Sequence, residues 1–380
     1  MQHLVEALAG QRLPAVVVDL DAVERNVDRI ARRLQGKSCR VASKSVRHVG
    51  LLRRILERGG PEFRGLMCFT CEEAVFLAEQ GFDDLLVAYP TTQRALIKAL
   101  AAASAKTHLV VDSEEHLELL CPGVGAVIEL DVSYRRAGLH LGTRRSPLRT
   151  PEQVVAFAKR ARERGVEVTG LMAYEGHVAG LPDDNPFSRA MNPVRRALKS
   201  LSIPEVARLR RQTVEALRAE GFELGLVNGG GTGSLGSTPT EDVITEVTAG
   251  SGFLCSHLFS WYVDLDLEPA ALFALEVCRV SDEGLATCLG GGYVASGEPG
   301  WDRLPLPAWP EGLSYLQMEG AGEVQTPLKT GGALSLGDVV LFRHAKAGEL
   351  AERFNDYHLV RGSQIVATEP TYRGQGGCFL

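Results

Sequence analysis

The sequence has no apolar run approaching the roughly 20 residues that span a bilayer. It also lacks a basic cluster: lysine and arginine are scattered, and the formal net charge is -6 with a pI near 5.9. These two absences exclude a helical membrane protein and leave no electrostatic footprint for nucleic acid or an anionic membrane surface. Cysteine is sparse, at 8 in 380 residues. The start MQHLVEALAGQRLP lacks the charged and apolar segments of a secretory leader, so reduced thiols in a cytoplasmic protein are expected rather than a disulfide framework. Cys68 and Cys71 form a single C-x-x-C with no second pair, which reads as two packed thiols rather than zinc ligands. No segment is of low complexity. What remains is a chain 45% hydrophobic, ample for a packed core, with a small molecule as the default partner.

The pattern that is present is an alternation of short β-branched runs with stretches of helical period. AVVVDL leads into DAVERNVDRIARRL, where Val23, Val27, Ile30 and Leu34 share one face. RVASK, GLMCFT, DLLVAYP, HLVVD, AVIELDV, VTGLMAYE and ELGLVNGGGTG each repeat the strand, and most are followed by a helix. Eight such strands predict a parallel sheet covered on both faces, closed as a (β/α)8 TIM barrel over residues 13–264, with an open doubly wound sheet as the alternative. The stretch LPDDNPFSRAMNPVRR interrupts all periodicity and reads as a mobile loop. Beyond residue 265 the texture becomes alternating with Gly-rich turns, which predicts an antiparallel β domain over 265–380. Residues 1–12 could pack on either part.

Chemistry in a barrel gathers at the C-terminal ends of its strands. Lys44 stands there, at the end of RVASK. Two Gly-rich turns, NGGGTGSLGS and EVTAGSGF, follow the last strands, where backbone N–H groups can converge on a phosphate. An amine facing a phosphate cup suggests a phosphorylated aldehyde held as a Schiff base, namely pyridoxal phosphate.

Taken with the stretches LPAVVVDLDAVERNV, DVSYRRAG, GLMAYEGH, VNGGGTGS and AGSG, this constellation resembles the fold-type III pyridoxal phosphate enzymes, and among them the D-threonine aldolase and D-serine dehydratase branch. The resemblance runs from about residue 13 to the C-terminus. It implies a homodimer and makes Lys44 the Schiff-base lysine. It places Arg136 at the pyridine nitrogen, where a guanidinium that keeps its proton leaves that nitrogen unprotonated. Arg135 is one register step away. The resemblance also assigns the phosphate to Gly230, Gly231, Thr232, Gly250 and Ser251, with Ser234 a weaker candidate, and implies Tyr174 as a further cofactor-binding residue.

Two departures stand out. Where the family reads AYHG this chain has Glu175, with His177 two places later in an open role. Where the branch carries a metal-binding His followed two residues on by Cys or Asp, His344 is followed by Lys346. An ammonium cannot ligate a cation. The expectation is therefore that no divalent metal binds and that Lys346 acts as a built-in cation toward the substrate. Glu349, Asp356 and His358 could rebuild a metal site instead, and a surface pair between Lys346 and Glu349 is the plainer alternative. The implied reaction is retro-aldol cleavage or dehydration of a β-hydroxy D-amino acid, with Lys44, His344 and Lys346 catalytic. An amino-acid racemase is the alternative enzyme, its second base drawn from Tyr293, Tyr357 or Tyr372. A noncatalytic pyridoxal phosphate carrier is the alternative of another class, and the long C-terminal β region argues against it.

Overall fold

The structure is a computed structural model and describes all residues except 137, 282, 283 and 333. The YRRAG stretch at residue 137 and the first β-domain turn at 282–283 thus lie partly outside the described residues. The first strand, β1 (Ala15–Asp19), precedes the barrel. The barrel closes from β2 (Ser38–Ala42), β3 (Phe63–Cys68), β4 (Leu85–Val87), β5 (Thr107–Val111) and β6 (Val124–Glu129). A small hairpin of β7 (Tyr134–Arg136) and β8 (Leu139–Leu141) intervenes. The barrel then continues with β9 (Val168–Met172), β10 (Leu226–Gly229) and β11 (Glu246–Ala249). All eight barrel strands pair in parallel, and β11 returns to β2 with Val247 opposite Cys39.

The count of eight expected from the sequence is right, but its membership is not. The AVVVD strand belongs to the other sheet, where it pairs antiparallel with β12 (Ala271–Ser281) and parallel with β18 (Asp356–Arg361). Its place in the barrel is taken by EVTA, which reads as part of a turn because only four residues precede the glycines. The reason for the confusion is burial: β1 is covered on both faces, so it has the unbroken apolar character of a barrel strand. The second sheet is mixed rather than antiparallel because β1 runs parallel to β18. Besides β1, β12 and β18 it contains β13 (Leu285–Leu289), β14 (Leu306–Trp309), β15 (Ser314–Tyr315), β16 (Gln325–Lys329), β17 (Val339–Arg343) and β19 (Gln364–Pro370). Leu4 of the N-terminal helix Gln2–Ala7 and its C-cap residue Leu8 pack with Val17, Leu272, Leu341 and Val360 of this sheet.

Local chemistry sets the boundaries of the helices around the barrel. Asp19 accepts from the amides of Asp21 and Ala22 to start helix Leu20–Ala31, and Thr150 and Gln153 form a reciprocal capping box around the first turn of helix Pro151–Glu163. Val23, Val27, Ile30 and Leu34 are all buried, as their spacing predicts. The LPDDNPFSRAMNPVRR stretch forms a short 3-10 segment, Pro186–Met191, and then opens helix Asn192–Ala219. Pro193 fits there because the first helical turn needs no amide donor. Inside the barrel, Leu86, Val110, Val127, Met172 and Leu226 form a separate small core. Arg40 bridges Glu246 (2.7 Å) and Asp84 (3.1 Å) and ties β2 to β11. The lower barrel is thus filled, and open space is left to the strand C-termini. Cys68 and Cys71 are buried free thiols, and among the described residues no helix is long and apolar enough to cross a membrane.

Candidate active site

Strand β2 ends at Ala42, and a single 3-10 turn, Ser43–Ser45, carries Lys44 onto the barrel rim. The buried hydroxyl of Ser43 donates to the carbonyl of Met67 (2.9 Å), which anchors the turn to β3. The Lys44 side chain is solvent-accessible within the mouth. Crowding by surrounding protein lowers its pKa, and the charges of Arg145, Lys346 and Arg47 lower it further. Both effects favour the neutral amine, the nucleophilic form.

The two Gly-rich turns meet beside this lysine. The Thr232 hydroxyl accepts from the amides of Gly250 (3.3 Å) and Gly252 (3.1 Å), and the hydroxyls of Ser45 and Ser251 lie 3.3 Å apart. A Cβ on Gly250 would stand 2.7 Å from Ser45 Oγ and 2.8 Å from Ala42 Cβ. Glycine there is what lets the turn after β11 approach the lysine turn. On Gly231 a Cβ would meet Ala179 Cβ at 3.0 Å. An amine with a lowered pKa, next to two backbone turns brought together by glycine, fits pyridoxal phosphate.

Other expected residues fall differently. Gly230 donates its amide to Glu175 (3.0 Å) and Ser234 its hydroxyl to the same carboxylate (2.6 Å), so both are committed behind the cup. Glu175 is buried. Burial pushes its carboxyl up, but the Arg210 guanidinium and the hydroxyls of Ser234 and Thr238 outweigh it and hold the pKa below the usual range. Arg136 is exposed at the end of β7. Among the described residues its guanidinium forms no hydrogen bond or ion pair, whereas Arg135 is locked onto Asp131. The arginine that does enter the mouth is Arg145. It lies 4.7 Å from the Tyr89 ring centroid, 5.4 Å from that of Tyr174 and 3.8 Å from Glu129 Oε1. Sequence reasoning missed it, since in GTRRSP it looks like a solvated loop charge. Glu129 is pushed up to about 7, chiefly by burial, against the opposing pull of Arg145. His177 lines a separate recess with Tyr174, Leu141 and Leu198, and neither of its ring nitrogens has a partner.

The β domain contributes a second wall. A cavity of about 230 Å³ is lined by Tyr293, His344, Lys346, Glu349, Glu352 and Arg353 among others. His344 is buried, both of its ring nitrogens are unpartnered, and burial together with His257 and Arg343 pushes its pKa down to about 3. It is a neutral imidazole. Lys346 Nζ donates to Ser296 Oγ (2.9 Å) and lies 3.8 Å from Glu349. The donor set does not fit a divalent cation: one imidazole stands beside an ammonium, Glu349 is engaged by Ser296, and His358 is bonded to Thr368 (2.9 Å). Among the described residues no three His, Cys, Asp or Glu side chains gather into a metal site. Of the three tyrosines considered, Tyr293 lines the cavity, Tyr357 is buried against His48, and Tyr372 donates to Glu73 (3.1 Å).

A closed eight-stranded parallel barrel joined to a separate mixed sheet is the fold of alanine racemase-like enzymes. The family described as alanine racemase, N-terminal domain, matches residues 18–228, more than half of the chain, and the chain belongs to it. That family is pyridoxal phosphate-dependent. The chain is 27% identical over 252 residues to a 3-hydroxy-D-aspartate aldolase of Paracoccus denitrificans (strain Pd 1222), covering 63% of this chain and 59% of the relative. It is 28% identical over 254 residues to a D-threo-3-hydroxyaspartate dehydratase of Delftia sp. (strain HT23), covering 62% and 60%. The matches thus span about 60% of the length of these curated relatives. The fold is similar to that of the D-threonine aldolase from Filomicrobium marinum (TM-score 0.81, 22% identity, 97% of this chain and 96% of that one). It is also similar to that of the Delftia dehydratase (TM-score 0.76, 21% identity, 96% and 98%).

Proposed function

We propose that the protein is a pyridoxal phosphate-dependent lyase that cleaves or dehydrates a β-hydroxy D-amino acid. The observation that carries this reading is the position of Lys44 between a glycine-built anion cup and the His344–Lys346 cavity. Bound there, the cofactor supplies an electron sink for breaking a bond at the substrate α-carbon. Lys44 holds its aldehyde and serves as proton carrier on one face. Gly231, Thr232, Gly250 and Ser251 shape the phosphate end, with Gly230 acting through its link to Glu175, and Tyr174 flanks the ring. An arginine faces the pyridine nitrogen, and Arg136 is the residue whose motif position matches.

On the other face His344 and Lys346 meet the substrate's β-substituent. A neutral imidazole can take the hydroxyl proton, as release of an aldehyde requires. An ammonium can give a proton to a departing hydroxyl, as loss of water requires. In this reading Lys346 occupies the role of a cation and no divalent metal is needed. The protein works on small amino acids in the cytoplasm, as a homodimer. The exposed apolar residues Phe187, Met191, Val194 and Leu201, close together in sequence, support the latter.

The test is a panel of D- and L-β-hydroxy amino acids assayed for aldehyde, ammonia and inversion. Aldehyde or ammonia from D-substrates supports the lyase. Inversion alone points to a racemase, and no turnover with any amino acid to a carrier.

A further inference from the structure

Behind the cup lies a buried ionic network that neither Lys44 nor the His344 cavity touches. Arg210, from the middle of helix Asn192–Ala219, is fully buried. Its Nε and Nη2 donate to the carbonyl of Ala173 (3.1 and 2.5 Å), Nη1 donates to Glu241 (2.5 Å) and Nη2 also to Glu175. Glu175 in turn accepts from the Gly230 amide (3.0 Å), the Ser234 hydroxyl (2.6 Å) and the Thr238 hydroxyl. Having donated its proton there, Ser234 Oγ accepts from the amide of Gly231 (3.1 Å). Two consecutive amides of the cup are therefore fixed through one carboxylate, directly at Gly230 and through Ser234 at Gly231.

Only an acceptor of this capacity closes the set. A carboxylate offers about four lone-pair sites, whereas a neutral imidazole offers one, so a histidine at this place could not receive an amide, two hydroxyls and a guanidinium. A carboxylate close to an anion site would repel the anion if uncompensated, and Arg210 supplies the compensation. Gly229 makes room for it, since a Cβ there would stand 2.8 Å from Arg210 Nη2.

We propose that Glu175 and Arg210 are positioning residues that set the shape of the phosphate cup, so that this network fixes how strongly the protein prefers the phosphorylated cofactor over its unphosphorylated form. The inference rests on the cofactor reading above. Its experiment measures the dissociation constants of the apoprotein for pyridoxal phosphate and for pyridoxal, in the wild type, Glu175→Gln and Ser234→Ala. Glu175→Gln keeps the volume and loses the charge-assisted acceptor. It is expected to weaken pyridoxal phosphate binding by about tenfold or more and pyridoxal binding by less than about twofold. Ser234→Ala leaves the ion pair intact and is expected to show the same selective loss, smaller in size. It decides the matter if Glu175→Gln does not fold. Equal weakening of both ligands, or no change in their ratio, overturns the proposal. A wild type that binds neither ligand overturns the cofactor reading itself.

Discussion

Gly348 of the β domain packs directly on the backbone carbonyl of Lys44, so closely that a Cβ at position 348 would be driven into that oxygen. Arg47 Nε donates to the same carbonyl (3.1 Å) and pairs through its guanidinium with Glu352, one turn beyond Gly348. The β domain thus grips the lysine turn itself. Gly348→Ala forces the two domains apart at this point. Overpacking of this kind costs about 1–3 kcal/mol. Denaturant unfolding should show that loss, and the variant should retain less cofactor after gel filtration than the wild type.

In the proposed reading Lys346 stands in for a metal cation. Chelator should therefore leave turnover unchanged. Lys346→Met, which keeps the length and removes the charge, should lower kcat by about 10²-fold, the scale of losing one electrostatic donor, with no rescue by added zinc or manganese. Steady-state kinetics with and without chelator check both statements.

The two arginines near the mouth make different predictions. Arg145 lies against Tyr174 and lowers the Lys44 pKa through its charge. Removing it as Arg145→Met should raise the pH at which the apoprotein lysine reacts with an aldehyde probe. Arg136→Met should leave that pH unchanged and alter the absorption of the bound cofactor, because its proposed partner is the pyridine nitrogen. A pH titration of probe reactivity and a spectrum separate the two.

Two buried groups give stability opposite slopes with pH. His344 is neutral in the fold down to about 3, while an unfolded histidine takes up a proton below about 6.5. Its contribution is full above that value and is lost as the pH falls. Wild type should therefore lose stability between pH 6.5 and 4 more steeply than His344→Phe, by up to about 3 kcal/mol.

Glu73 runs the other way. Burial pushes it up to about 7, against the lowering effect of the Phe69 amide and Tyr372. Its contribution is full below about 4.5 and is lost as the pH rises through 7. Glu73→Gln should gain on wild type between pH 5 and 8 by up to about 3 kcal/mol. Unfolding curves at several pH values measure both slopes.

Much of this was legible in the sequence, and the failures have physical causes. Lys44 and the two glycine turns could be placed because strand ends and glycine runs are local signals. Strand β1 could not, because burial on both faces erases the difference between a barrel strand and the centre of a mixed sheet. Arg145 and Arg210 were invisible. Each is one charge among many in a loop or a polar helix, and only the tertiary fold brings Arg145 over Tyr174 or buries Arg210 against Glu175 and Glu241. Glu175 was seen as a departure from a motif, but its role depends on Ser234 and Thr238, some 60 residues away.

The most direct test of the account is chemical. Protein reconstituted with pyridoxal phosphate should be reduced with borohydride, digested, and the modified peptide sequenced by mass spectrometry. The account predicts one stoichiometric label, on Lys44, and none in Lys44→Ala. A label on another lysine, or none at saturating cofactor, contradicts it.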